Sequence, residues 1–503
     1  MAATTPNRPG LPPPEAGYYR PPGWGRTPRM VRRTRLRQAW AGLRPLLSLK
    51  PRRADILLIV GYLVLTRIGS LSAAKLGVQI GPVPLFLTDL TLISLLGVSL
   101  LKRPGQVLFW ATAGQQAGGA GRAVWMLCVA GIIYFVFAFP IYRLYAIRDL
   151  AIFTYSIFFP LTYFAVNSRI WAKRITRYFV YSGIVLAVLM LIQFATGVDI
   201  GFGSNVREIL GRNITYVGSD DYGGILAASL MGLVAYGLLE RERKTFHLLA
   251  AFVCFFAMAA TGTRSAMVGC AVAGFVTFML VSHRYRLGFC IVAAILVVTL
   301  IVGTVLPESI PGVKALHDFY NAILSASGGA SDENAAFRLE RWIDAFHTWL
   351  AHPLFGVGFG RDVMHQIYVP QWAPDKFNLG MPHNTYLFLL ARAGVVGFGL
   401  VVVAMVAGFW RLGWAVRRYR QPDDLAAMSA LVAMAAFGAF VLFFERPMNN
   451  ATFWIMLAVG IRLAQTSRAA ALAAVRRERP VVAREVRREA VIAATAPYSP
   501  LRT

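Results

Sequence analysis

Acidic residues are scarce in this 503-residue sequence: 24 Asp and Glu stand against 51 Lys and Arg, and charged residues of all kinds make only 15% of the chain. With 57% hydrophobic residues, that balance excludes an ordinary soluble globule, for which roughly a quarter charged residues is usual. Cysteine is scarcer still. Cys128, Cys254, Cys270 and Cys290 all lie in apolar runs without metal-ligand spacing, so neither a disulfide framework nor a zinc site is supported, and they read as small core residues. No apolar core occurs in the Pro- and Arg-rich first fifty residues, so no cleaved secretory signal is expected. The net charge of +27 does not imply nucleic acid, because a membrane protein keeps its cations on the cytoplasmic side.

What the sequence does contain is runs of about twenty apolar residues, the length that crosses a bilayer. Twelve are expected, near 55–73, 85–101, 124–140, 150–166, 178–196, 223–239, 246–262, 265–282, 287–305, 385–409, 425–443 and 451–465. The fold class is therefore an all-α polytopic membrane protein. Orientation follows from the basic residues. If the N-terminus is cytoplasmic, roughly 36 of the 51 fall in cytoplasmic segments, an alternation that one helix more or fewer would scramble. Five segments result: a disordered basic leader (1–53), helices one to nine (54–305), a large periplasmic loop with amphipathic surface helices (306–384), helices ten to twelve (385–465) and a basic cytoplasmic tail (466–503). Twenty- to fifty-residue repeats and inverted halves are both missing, which weighs against a transporter.

The interval 306–384 is the one long polar stretch between apolar segments, and five of the seven histidines (His317, His347, His352, His365, His383) lie in it. Residues 334–350 have helical spacing, with Phe337, Arg341, Ala345 and Trp349 on one row and Arg338, Trp342 and Phe346 on the next. An amphipathic helix at the membrane surface is expected, with Trp342 and Trp349 at headgroup depth. Arg341 either pairs with Asp344 at i+3 or meets a phosphate; Arg338 either stacks on Trp342 or binds a ligand. Arg264 sits between two apolar runs with no acidic neighbour in sequence, where a guanidinium is costly unless it lines a wet cavity or snorkels. His383, at the re-entry of the chain into the membrane, is able to accept a proton near neutral pH or to serve as an interface residue. Asn384 either caps the next helix or bonds a substrate. Arg207 and Arg212, in the smaller outer loop 197–222, are further candidate substrate-binding cations. The Gly356-x-Gly358-x-Gly360 run lacks the preceding strand and following Lys-Ser/Thr of a phosphate cradle and reads as a turn. The loop acids include no close aspartate pair, and Asp220-Asp221 reads as a solvated turn, so no metal and no cofactor are expected.

The ordered set Thr-Gly-Thr-Arg-Ser-Ala (261–266), Arg338-x-x-x-Trp342, His-Pro-Leu-Phe-Gly-Val-Gly-Phe-Gly (352–360), Pro-His-Asn-Thr-Tyr-Leu (382–387) and Ala-Gly-Val-Val-Gly (393–397) resembles the O-antigen ligase and polymerase superfamily. The resemblance covers about residues 210–465, leaving the leader and tail outside. It implies a bacterial inner-membrane glycosyltransferase that takes a glycan from undecaprenyl pyrophosphate on the periplasmic face. The acceptor is the lipid A core in ligases and a second lipid-linked glycan in polymerases. It also implies catalytic roles for Arg264, Arg338 and His383, with Arg341 as the alternative loop arginine. Besides donor and acceptor, the expected partners are membrane lipids, with no nucleic acid. A small-anion (bicarbonate-like) transporter of the same superfamily is the competing expectation.

Overall fold

The computed structural model describes residues 53–68, 78–80, 83–103, 116–142, 146, 150–196, 207–209, 212–214, 220–260, 264–281, 333–360 and 382–495. The leader, the expected helix at 287–305 and the loop segments 306–332 and 361–381 lie outside them. Helices stand at the other eleven expected segments, and a further one falls in the polar interval. They are α1 (Ala54–Ile68), α2 (Leu87–Lys102), α3 (Gly119–Tyr142), α4 (Ala151–Ala165, with a 3-10 turn at Tyr155–Ile157), α5 (Arg169–Thr196), α6 (Asp220–Leu239), α7 (Lys244–Ala260), α8 (Arg264–Leu280), α9 (Glu333–Ala351), α10 (Thr385–Tyr419), α11 (Pro422–Phe437) and α12 (Pro447–Thr495). The tail is thus a continuation of the last helix. Four helices are long and apolar enough to cross a membrane by themselves: α3, α5, α6 and α10.

All-helical architecture is interrupted among the described residues by two three-residue hairpins, β1 (Val78–Ile80) with β2 (Val83–Leu85) and β3 (Arg207–Ile209) with β4 (Arg212–Ile214). The aspartates expected in a turn, Asp220 and Asp221, instead begin α6. Apolar side chains cover the outside of the bundle: Phe137 is 72% exposed, with Ile132, Ile141, Leu249, Phe252 and Val406 also exposed. A contiguous apolar exterior of this kind is stable only in lipid.

Register along the helices defines two ends. Thr277 Oγ1 of α8 lies 2.6 Å from Ser429 Oγ of α11, while Gly269, two turns earlier in α8, faces Ala433 and Phe437, so these helices run antiparallel. One end then gathers the starts of α6, α8 and α10 around residues 437–446: a Cβ on Gly224 would meet the Phe437 ring at 2.5 Å, and Thr385 N–H donates to Gly438 O at 3.0 Å. The opposite end holds the charge pairs. Asp423, fully buried at the start of α11, meets Lys173 at 3.3 Å and Arg177 at 3.0 Å and accepts from Tyr236 Oη at 3.0 Å. Arg177 also faces Glu240 at 3.5 Å, and Asp55 pairs with Lys102 at 3.0 Å and Arg103 at 3.7 Å.

Candidate functional site

The first structural surprise lies in α10. Gly394 has φ 60° and ψ −168°, so the helix breaks there and its hydrogen-bond ladder must be completed from elsewhere. Segment 353–358 completes it. Val357 N–H donates to Ala391 O (2.9 Å) and Gly358 N–H to Arg392 O (3.0 Å), while Val395 N–H donates to Pro353 O (2.9 Å) and Val396 N–H to Leu354 O (3.1 Å). Four backbone bonds therefore join the 352–360 motif to residues 391–396, two of them within the 393–397 motif. Tyr134 of α3 clamps the junction, its hydroxyl donating to Phe355 O (3.0 Å) or Ala393 O (2.9 Å), and Phe359, fully buried, packs edge-on against Tyr134 and Phe153. The glycine run is a turn, as its sequence context implies; it is the piece that mends a broken helix.

This junction sets the height of α9. Ala345 packs on Phe388 and Ala391 of α10, and residues 353–358 reach 391–396, so α9 runs parallel to the first half of α10. Arg341, one turn before Ala345, is then level with the beginning of α10, and Arg338 lies about a further turn along. An independent contact agrees: the Trp342 ring centroid lies 6.2 Å from that of Phe440, in the segment to which Thr385 is anchored. Trp342 thus faces the body of the protein, and the outward stripe is Leu339, Ile343, Phe346 and Leu350, all about half exposed, at the i, i+4, i+7, i+11 spacing of an interfacial helix face.

Arg341 is 2% exposed and Arg338 is half-buried. Burial pulls the Arg341 guanidinium below its usual range, while the Glu340 and Asp344 carboxylates counteract this. Asn384 caps α10: its Oδ1 accepts from Tyr386 N–H at 3.0 Å and Leu387 N–H at 3.1 Å. That satisfies two otherwise orphaned donors. His383 precedes the cap at φ 48°, a left-handed conformation uncommon for a residue with a Cβ. Arg264 is the first residue of α8, and the antiparallel α8/α11 register puts that helix start beyond Phe437, beside the same segment. Arg207 and Arg212 open the two strands of the β3–β4 hairpin; for Arg264, Arg207 and Arg212 the described features are of the backbone.

Glu445 was not among the expected site residues; it lies next to Arg446 in the connection between α11 and α12, outside both expected spans. Thr385 Oγ1 lies 2.9 Å from Glu445 Oε2 and 3.0 Å from Val441 O, acceptors for its single proton, and accepts from Phe443 N–H at 2.6 Å. Burial pushes the Glu445 carboxyl up to about 7, against the opposing effects of Thr385, Arg446 and Arg392. Its Oε1 and the Trp342 indole N–H are buried without a hydrogen-bond partner among the described residues, an acceptor and a donor available to a ligand. No group of three His, Cys, Asp or Glu among the described residues is arranged to hold a metal ion.

The pH consequence of Glu445 has a definite sign. Because the carboxyl titrates from an ordinary 4.5 up to about 7 in the fold, the folded state binds the extra proton between those values, and stability falls as pH rises through them. Glu445→Gln retains an acceptor for Thr385 and carries no charge. Its thermal midpoint in detergent is expected to exceed wild type at pH 8 and to converge with it near pH 5; equal midpoints at pH 8 would refute the assignment.

The O-antigen ligase family (Wzy_C) matches residues 249–402, a span that holds Arg264, Arg338, His383 and both halves of the α10 junction. That part of the chain is similar to the O-antigen ligase superfamily. No curated protein matches the chain. Together with the apolar helices, this similarity points to a multi-pass membrane protein. Glu445 lies beyond the matched span, whereas its partner Thr385 lies within it.

Proposed function

We propose that the protein is a glycosyltransferase of the bacterial inner membrane whose site faces the periplasm. It moves a glycan from undecaprenyl pyrophosphate to an acceptor hydroxyl, on the lipid A core if it is a ligase or on a second lipid-linked glycan if it is a polymerase. The observation that carries this reading is the four-bond junction at Gly394, which brings the loop helix with Arg338, Arg341 and Trp342 level with His383 at the start of α10. The acceptor oxygen attacks the anomeric carbon, its proton passes to neutral His383, and the bond to pyrophosphate breaks with the electron pair leaving on the phosphate. Arg264 and Arg338 supply fixed bidentate donors to that developing charge, with no metal required. Arg341, buried one turn from Arg338 on the same helix, is the alternative loop arginine and adds positive potential. Trp342 Nε1 is a donor to the sugar or phosphate, and Asn384, Arg207 and Arg212 flank the substrate. Direct displacement by this route inverts the anomeric centre.

The smaller loop hairpin and the starts of α6, α8 and α10 sharing one end favour this reading over an anion pathway, because a lipid-linked donor needs cations and an interfacial helix at one membrane face. Reconstitution tests it. Proteoliposomes given an undecaprenyl-pyrophosphate-linked glycan and acceptor are expected to release undecaprenyl pyrophosphate as the acceptor is elongated. Bicarbonate accumulation without that release would replace the enzyme reading with the transporter one.

A further inference from the structure

At the other end of α10 lies a cavity of about 900 Å³, bounded by the second half of α10, the start of α3 and α12. Ser467, next to the lining residue Arg468, donates to Asp424 Oδ2 at 2.7 Å, beside Asp423 at the charge-paired end of the bundle, so this cavity lies at the end opposite the candidate site. The order of side chains along its α10 wall is graded. Val402, Val403, Val406 and Ala407 come first, then Trp410 (79% exposed) and Trp414, with Arg411 beside them and Arg468 across on α12.

Tryptophan marks the headgroup boundary of a bilayer, with hydrocarbon to one side and charge to the other. The wall therefore repeats the order of acyl chain, glycerol and phosphate in a phospholipid. Arg411 is held in place by Ala117 O, to which its Nη1 donates at 2.8 Å, leaving further guanidinium N–H groups directed elsewhere. Neither Arg411 nor Arg468 forms an ion pair among the described residues. No carboxylate among the lining residues is present to receive a choline or ethanolamine head. We infer that this groove binds an anionic phospholipid, its phosphate between Arg411 and Arg468 and one acyl chain along Val402–Ala407.

Delipidated full-length protein in detergent, titrated with phosphatidylglycerol or with phosphatidylcholine of the same chains and read by native mass spectrometry, tests it. At least tenfold tighter binding of phosphatidylglycerol is expected, reduced to the phosphatidylcholine level by Arg411→Gln with Arg468→Gln. Ala407→Trp, which fills the groove and leaves both cations in place, should weaken both lipids. If the double variant elutes as aggregate, Arg468→Gln alone carries the test through its exposed side chain, with an expected loss of about threefold. Equal affinity for the two lipids, indifference to Ala407→Trp, or displacement of phosphatidylglycerol by inorganic phosphate would each overturn the inference, the last by making it a free-anion site. None of these residues belongs to the candidate transfer site, so the outcome is independent of that reading.

Discussion

Glycan transfer is expected to fall by a factor on the order of 10²–10⁴ when His383 is replaced by alanine, the range a positioned general base contributes. In the native host, surface glycan should be lost while the lipid-linked pool grows: full-length unattached chains identify a ligase, single repeat units a polymerase. The backbone supplies a control that most catalytic substitutions lack. His383 sits at φ 48°, a region that asparagine and glycine enter more readily than other residues. His383→Asn should therefore be at least as stable as wild type and equally inactive, which separates lost chemistry from lost structure. An Asn variant that is well folded and active would remove His383 from the mechanism.

Gly394→Ala is expected to abolish stable accumulation of the protein, and with it activity. At φ 60°, ψ −168° the backbone occupies a region essentially confined to glycine, which costs ~1–3 kcal/mol for other residues. Space is refused as well: a Cβ would lie 2.3 Å from the carbonyl carbon of Leu354, inside the segment that mends the helix. Any relief moves that segment away and exposes four backbone groups of α10. Gly356, with φ 68° and a Cβ position 2.3 Å from the Arg392 carbonyl carbon, meets the same barrier from the other side, so Gly356→Ala should resemble Gly394→Ala. Gly399, in the same helix with open space around its Cβ position, is the comparison: Gly399→Ala should be neutral or slightly stabilising, since Ala has the higher helix propensity. Yields of the three variants after solubilisation and size-exclusion chromatography decide the point. Comparable yields would mean that the junction contributes little.

Both predictions depend on contacts between residues far apart in the chain, and that is where reading the sequence reached its limit. Eleven of the twelve apolar segments have helices because spanning length and hydrophobicity are local properties, set by the bilayer. The surface helix was legible for the same reason: the helical spacing of Phe337, Arg341, Ala345 and Trp349 is visible in consecutive residues, though the exposed stripe of Leu339, Ile343, Phe346 and Leu350 emerged only from the structure. Asn384 was legible as a cap, since the acceptor and the two N–H groups it serves are neighbours. The break at Gly394 was not. An apolar run containing glycine reads as uninterrupted helix, and only the approach of 353–358 explains why the motif at 352–360 and the one at 393–397 occur together. Trp342 packs against Phe440, a partner far along the chain that nothing near Trp342 in sequence names. Nothing near Glu445 in sequence names Thr385, sixty residues earlier, as its partner. Amino-acid order determined the helices, the polar interval and the candidate cations, because these follow from short-range hydrophobicity and charge. Which of them meet was decided by tertiary packing, because backbone groups freed at one break must find their partners wherever the fold brings donors and acceptors together.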